Sequence, residues 1–247
     1  MDIKRLGRFG QIRIYTDNGG YMFKTSMTED ELQKYVIHQL NNFYPDNRLS
    51  NKEYIFKGAI SEALERTHVC FKHVSLPAYH RDGTTYFSHL HSDQYTVFLW
   101  FLSNTIWRRF KDAEIAAKLF NLNKALNGFL CMYDAELPDI FLVLHGNGVV
   151  LGKASYSNFF VCYQGCTVGA IEGRYPKLGR GVALAPNSTV IGECNVGNLV
   201  TIGNQALLRN TDLSDGSLYY RHIDTGRHIN QSTDTPWAQT FYNVPIS

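Results

Sequence analysis

Six apolar residues recur on a strict period of six: Leu178, Leu184, Val190, Val196, Ile202 and Leu208. Gly179, Gly197 and Gly203 directly follow three of them. An α-helix repeats every 3.6 residues and a strand alternates, so neither produces this spacing. It is the signature of a hexapeptide β-helix, in which each hexad forms one flat side of a coil and points its apolar residue inward. Stacked coils bury a continuous core that no single coil could bury alone. The interior of such a prism is narrow, so the position four after each anchor has to be small. Those positions hold Val182, Ser188, Cys194, Val200 and Ala206. Two β-hairpins would have to reproduce six anchors by coincidence.

The register is blurred from about Leu144 to Val168, and it breaks outright between Gly169 and Lys177, where seven residues (Ala170 to Pro176) interrupt the hexads. A loop extruded from a regular solenoid is usually a functional insertion. Upstream the periodicity is helical. Thr28 with Glu31 three positions on is a capping-box pattern, and it opens a helix running to Phe43. Residues 60–74 predict a second amphipathic helix, and the segment from Ser92 to about Leu130 is helical again. Short β-like runs, QIRIY and GYMFKT, precede them. The expectation is an α+β chain: a mainly helical domain over 1–135, a parallel β-helix over 136–210, and a C-terminal tail over 211–247 that folds back over the prism or crosses to a neighbour.

Bulk composition narrows the function classes. At 247 residues the chain can bury a substantial core. A formal charge of +2 carries no polyelectrolyte signature, so nucleic acid is not an expected partner. No stretch approaches eighteen consecutive apolar residues, and the first fifteen lack the apolar core of a signal peptide, so a cytosolic protein without a membrane span is expected. Cys70, Cys131, Cys162, Cys166 and Cys194 form no CxxC pair and are expected to be reduced, buried and free of metal. His89 and His91 lack a third ligand in pattern, so no metal site is expected there either.

Three motifs converge on one family. His145-Gly-Asn-Gly-Val-Val-Leu-Gly, Tyr163-Gln164-Gly165-Cys166-Thr167-Val168-Gly169 and Arg174-Tyr175-Pro176-Lys177-Leu178-Gly179 stand in order along the chain. Together they resemble the serine acetyltransferases, whose fold is an N-terminal helical bundle followed by a left-handed β-helix. Glu136-Leu137-Pro138-Asp139-Ile140-Phe141 also looks like a branch of serine-acetyltransferase-like proteins from bacterial polysaccharide gene clusters.

The resemblance implies acetyl transfer from acetyl-CoA, as co-substrate, to a hydroxyl. An imidazole, which titrates near neutrality, suits the base that takes the hydroxyl proton, and His145 is the candidate. The family's acidic partner would fall at Leu130, and Glu136 substitutes if one hexad has been deleted. Asp93, Arg174 and Tyr175 are the implied acceptor-binding residues. Gly169, Ala170, Ala185 and Lys177 are the implied coenzyme-binding residues, in a groove between prisms of a trimer. Two family acceptor groups are missing, since Leu144 stands where the family has Asp and Tyr175 where it has a second His. A sugar or polysaccharide-precursor hydroxyl therefore becomes the expected acceptor. Serine O-acetylation, N-acetylation of an amino sugar and a non-catalytic β-helix scaffold remain the alternatives. A γ-type carbonic anhydrase is set aside, because the prism carries His145 alone.

Overall fold

The computed structural model describes residues 14–16 and 22–247. Residues 11–13 of the expected run QIRIY, residues 20–21 of GYMFKT and the first thirteen residues of the stretch read for a signal peptide lie outside them. Among the described residues, Ile14–Thr16, Met22–Thr25, Thr84–Phe87 and His80–Arg81 form a small sheet in that order.

Four helices follow the expected pattern with sharper limits. Helix α1 (Glu29–Phe43) begins at Thr28, whose side chain accepts from the Glu31 N–H while the Glu31 carboxylate accepts from the Thr28 N–H at 2.8 Å. The Thr28 N–H, and then the Thr28 hydroxyl, which donates to the same carboxylate at 3.0 Å, draw the Glu31 carboxyl below its ordinary range. Helix α2 (Glu53–Phe71) starts earlier than residue 60. Ile55, Phe56 and Ala59 continue the stripe of Ile60, Ala63 and Leu64, all buried, so the apolar face extends the helix at its N-terminal end. The long helical segment divides into α3 (Ser92–Phe110) and α4 (Ala113–Asn127). Lys111, at φ +55°, breaks the first, and the Asp112 carboxylate caps the second by accepting from the Ile115 N–H at 3.0 Å.

Helix α3 is buried all round from Asp93 to Ile106 because it lies between the other helices and the prism. Trp100 and Phe101 meet Phe141, on the first coil, with ring centroids 5.6 and 5.5 Å apart.

The remainder is a three-sided parallel β-helix. One side stacks five strands from Phe129–Cys131 to Leu207–Arg209, a second stacks three from Ser155–Tyr156 to Asn195–Val196, and the third runs from Phe141–Leu144 to Ser217–Arg221. Every expected anchor and every small interior residue is at most 4 % exposed. In the regular part Leu184 pairs with Ile202 and Leu178 with Val196, eighteen positions apart. Across the insertion Cys162 pairs with Leu184, twenty-two positions apart.

The extra length forms a tight hairpin. Ile171 and Arg174 exchange both backbone hydrogen bonds around Glu172 and Gly173, whose φ values are +50° and +77°.

Two boundaries differ from expectation. The prism begins at Phe129, ahead of 136, because Phe129–Cys131 pairs in register with Val149–Leu151. The tail supplies a further rung: Ser217–Arg221 lies parallel to the Thr201–Ile202 strand and turns back antiparallel over His228–Ser232. The chain then crosses to the helical region, where the Ser75 N–H donates to the Phe241 carbonyl at 2.9 Å and the Asn243 N–H to the His73 carbonyl at 3.0 Å. All five cysteines are buried thiols. Among the described residues no helix is long and apolar enough to cross a membrane.

Candidate active site

His145 stands on a bulge at one corner of the prism. The backbone bonds Gly165 N–H to Asn147 O, Asn187 N–H to Gln164 O and Gln205 N–H to Pro186 O mark Asn147, Gln164 and Pro186 as equivalent positions on successive coils. Leu144 pairs with Tyr163, so two residues, His145 and Gly146, fill the first corner where the next coil has none. The bulge pushes the imidazole out of the prism and leaves it exposed. His145 adopts φ +53°, an unfavourable region for a residue with a Cβ. A Cβ on Gly146 would come within 2.7 Å of the Val143 side chain, which explains the glycine beside the histidine.

Asp93 holds the bulge in place. Its carboxylate accepts a hydrogen bond from the His145 N–H at 3.0 Å, and the residue is 6 % exposed in the first turn of α3. The contact ties the buried helix to the corner of the first coil across 52 positions of sequence. Two cavities flank it, both lined by Ser92, Asp93 and His145. One, of about 580 Å³, extends along the end of α4 past Lys124 and Asn127 to Asn147. The other, of about 450 Å³, is closed by Leu76, Tyr79, His91, Leu144 and Tyr163.

Tyr163 forms the wall nearest the imidazole, with ring centroids 5.8 Å apart. Burial, and then the charge of Asp93, pushes its hydroxyl above the ordinary tyrosine range. Trp237 stacks on the other side of Tyr163 at 5.1 Å, so the tail supports this wall. Tyr79 is 1 % exposed, and its hydroxyl and His91 Nδ1 are buried without a hydrogen-bond partner.

The structure joins some of the expected site residues and separates others. Asp93 and His145 are in direct contact. Glu136 does not accompany them: it is exposed and lines two other cavities, one with Tyr156 and Arg180, the other with Arg66 and Trp100. The cause lies in the first coil. Leu130 is taken up by the rung opposite Val150, and the chain loops outward over 132–139 before rejoining the prism at Phe141.

Arg174 and Tyr175 belong to the inserted hairpin at a different corner. Arg174 pairs there with Glu193 at 3.0 Å, with both side chains well exposed. Gly169, Ala170 and Lys177 belong to that second corner too, whereas Ala185 lies at the corner of His145, two coils on. Among the described residues a Cβ on Gly169 would meet only the Ile191 Cγ2, at 3.8 Å, so none of them demands glycine there. Lys177 is exposed; its charge helps to hold the Asp212 carboxyl low, after the hydrogen bonds from Asn195.

Trp237, Tyr163, Tyr79 and His91 join the site through tertiary contacts. Tyr163 stands in the second family-like motif and His91 in the His89–His91 pair, but no spacing links Trp237 or Tyr79 to His145. The other histidine of the pair, His89, hydrogen-bonds Ser26 Oγ at 2.8 Å. Among the described residues no group of three or more His, Cys, Asp or Glu side chains could hold a metal ion.

No protein-family model matches the chain, and no curated protein sequence matches it. Solved structures do. The serine O-acetyltransferase of Brucella melitensis, a bacterial hexapeptide-repeat transferase, superposes with a TM-score of 0.64 at 16 % identity, over 84 % of each chain. The serine acetyltransferase of Neisseria gonorrhoeae gives 0.63 at 19 %, covering 86 % of this chain and 83 % of that one. The Brucella abortus enzyme in complex with coenzyme A gives 0.61 at 15 %, covering 85 % and 84 %. Likeness at this level of identity concerns the backbone: this chain has the serine acetyltransferase fold, a helical region followed by a hexapeptide-repeat β-solenoid.

Proposed function

We propose that the protein is an acetyl-CoA-dependent O-acetyltransferase whose acceptor is an uncharged hydroxyl compound, a sugar or polysaccharide precursor. The observation that carries this is the exposed imidazole of His145, raised on a corner bulge between two cavities and held there by Asp93. In the proposed reaction His145 takes the acceptor's hydroxyl proton as the oxygen bonds to the thioester carbonyl carbon. The C–S bond then breaks and the proton passes to the departing thiolate. General-base help of this kind contributes roughly 10²–10⁴-fold.

The acceptor assignment rests on the cavity closed by Tyr163. Among the described residues its lining includes no Lys or Arg to receive a carboxylate, Lys124 standing in the other cavity, and Leu144 is buried there in place of the family's Asp. Arg174 pairs with Glu193 instead. These features favour a neutral acceptor over free serine. Serine remains the second reading, because the superposed structures are serine acetyltransferases.

The coenzyme residues carried over from the resemblance divide between two corners of one prism. A groove between neighbouring copies would reunite them, which fits a trimer. Glu136, at a distance from the imidazole, fits better as part of the outer loop than as its acidic partner. The test is calorimetry with acetyl-CoA, followed by thiol-release assays with neutral sugars and with serine. Micromolar coenzyme binding and turnover on sugars are expected. Absence of coenzyme binding at millimolar concentration refutes the enzyme assignment, and turnover on serine alone refutes the acceptor class.

A further inference from the structure

From the corner of His145 to the far end of the prism, the coils bring a second group of residues into line. The pairings Leu144 with Tyr163, Cys162 with Leu184, Leu184 with Ile202 and Ile202 with Tyr219 place Leu144, Tyr163, Ala185, Gly203 and Tyr220 at equivalent positions on five successive coils. His145 follows the first of these and Arg221 the last. At about 4.8 Å per parallel rung, the two corners lie roughly 19 Å apart.

Arg221 begins the turn of the terminal hairpin and pairs with His228 across it. Its Nε donates to the Gly226 carbonyl at 3.4 Å, which lays the guanidinium over the turn. Arg227 stands on the returning strand side, next to His228. Both arginines are exposed, and among the described residues neither forms an ion pair, although Asp224 occupies the same turn. His222, between Arg221 and the tip, has its Nδ1 buried without a hydrogen-bond partner. An unpaired double cation at the end of a straight corner is a recognition element for phosphate, since guanidinium groups match phosphate oxygens in geometry and charge.

We infer that Arg221 and Arg227 bind the phosphate groups of the coenzyme, with its arm lying along the corner from His145. This rests on the acetyl-CoA assignment above and deepens it. Thirteen bonds separate the thiol sulfur from the first phosphorus, about 15 Å at the advance of an extended chain, and the ribose phosphate extends beyond. The sulfur then meets His145 while the phosphates reach the hairpin. Ala185 contributes only a methyl group to the path between them.

The test compares coenzyme A, 3′-dephospho-coenzyme A and pantetheine by calorimetry on the full-length protein. The variants are Arg221→Gln, Arg227→Gln and the double substitution. The double variant is expected to bind coenzyme A at least about tenfold more weakly, with a shallower salt dependence and pantetheine binding unchanged. Arg221→Lys and Arg227→Lys together are expected to restore part of the loss. Equal binding of coenzyme A by the wild type and the double Gln variant overturns the inference and leaves the acetyl-CoA assignment standing. Equal weakening of pantetheine also overturns it, since that reports a disturbed prism. If the wild type fails to bind coenzyme A, the acetyl-CoA assignment falls and this inference with it.

Discussion

The regular coils from Leu178 to Leu208 and the earlier coils from Phe129 to Pro176 are built on the same plan, but only the later ones keep it without interruption. In the regular part every hexad does the same thing. Its anchors are buried, its coils are eighteen residues long, and its outward groups stay at the surface. In the earlier coils the plan is broken twice, by the two-residue bulge at His145 in the first and by the hairpin at Glu172-Gly173 in the third. Helix α3 covers the first of these coils, while the C-terminal tail packs on both regions, with Trp237 stacked on Tyr163 and its backbone N–H donating to Thr201 Oγ1 at 3.3 Å. Regularity supplies a stack that tolerates interruption, and the interruptions carry side chains outward from it.

The comparison predicts a division of mutational effects. In the regular part, Leu184→Ala removes a fully buried anchor and is expected to cost about 2–5 kcal/mol in urea unfolding, while the outward Thr189→Ala stays within about 0.5 kcal/mol. Comparable costs at both positions would mean that the inward and outward assignments are wrong.

At the broken coil, Asp93→Ala leaves the His145 N–H without its acceptor. The expected loss is about 1–3 kcal/mol of stability, together with a fall in thiol release. Unchanged turnover in this variant would separate the bulge from the chemistry.

The two glycines around the insertion sharpen the contrast further. Gly173→Ala, at φ +77°, is expected to destabilise by about 1 kcal/mol through backbone strain. Gly169→Ala meets only the Ile191 methyl and is expected to leave the melting temperature unchanged while weakening coenzyme binding. A stability loss at Gly169 with intact binding would assign that glycine to the fold.

The smallest effect lies far from both regions, at the capping box of α1. The folded Glu31 carboxyl titrates below its ordinary value, so its contribution is fully present above the unfolded carboxylate range near pH 4.3. It fades as pH falls through the lowered folded value. Melting curves of the wild type and Glu31→Gln are therefore expected to differ at neutral pH and to converge in acid. A constant difference across that range would contradict the linkage.

The sequence was legible where one residue type answers one local demand. The six-residue period demanded inward anchors at Leu178 and its successors, and Thr28 with Glu31 demanded a helix start. It was less legible where tertiary contacts decide. The early start of α2 depends on a stripe continued by Ile55 and Phe56. The first rung at Phe129 lies where the sequence reads as the end of a helix, and only its pairing with Val149 makes the strand visible. At the candidate site, His145 and Asp93 were recognised through the resemblance, yet their direct contact joins residues 52 positions apart. Trp237 reaches Tyr163 because the tail crosses the prism, and no local pattern encodes that crossing.

The most direct test of the central claim is acetyl-CoA-dependent thiol release by the wild type and His145→Ala, with a sugar acceptor and with melting followed in parallel. The account predicts a fall in turnover of about 10²–10⁴-fold with coenzyme affinity and melting temperature essentially unchanged. Turnover retained by His145→Ala would contradict it, and the bulge at the first corner would then be a feature of the fold alone.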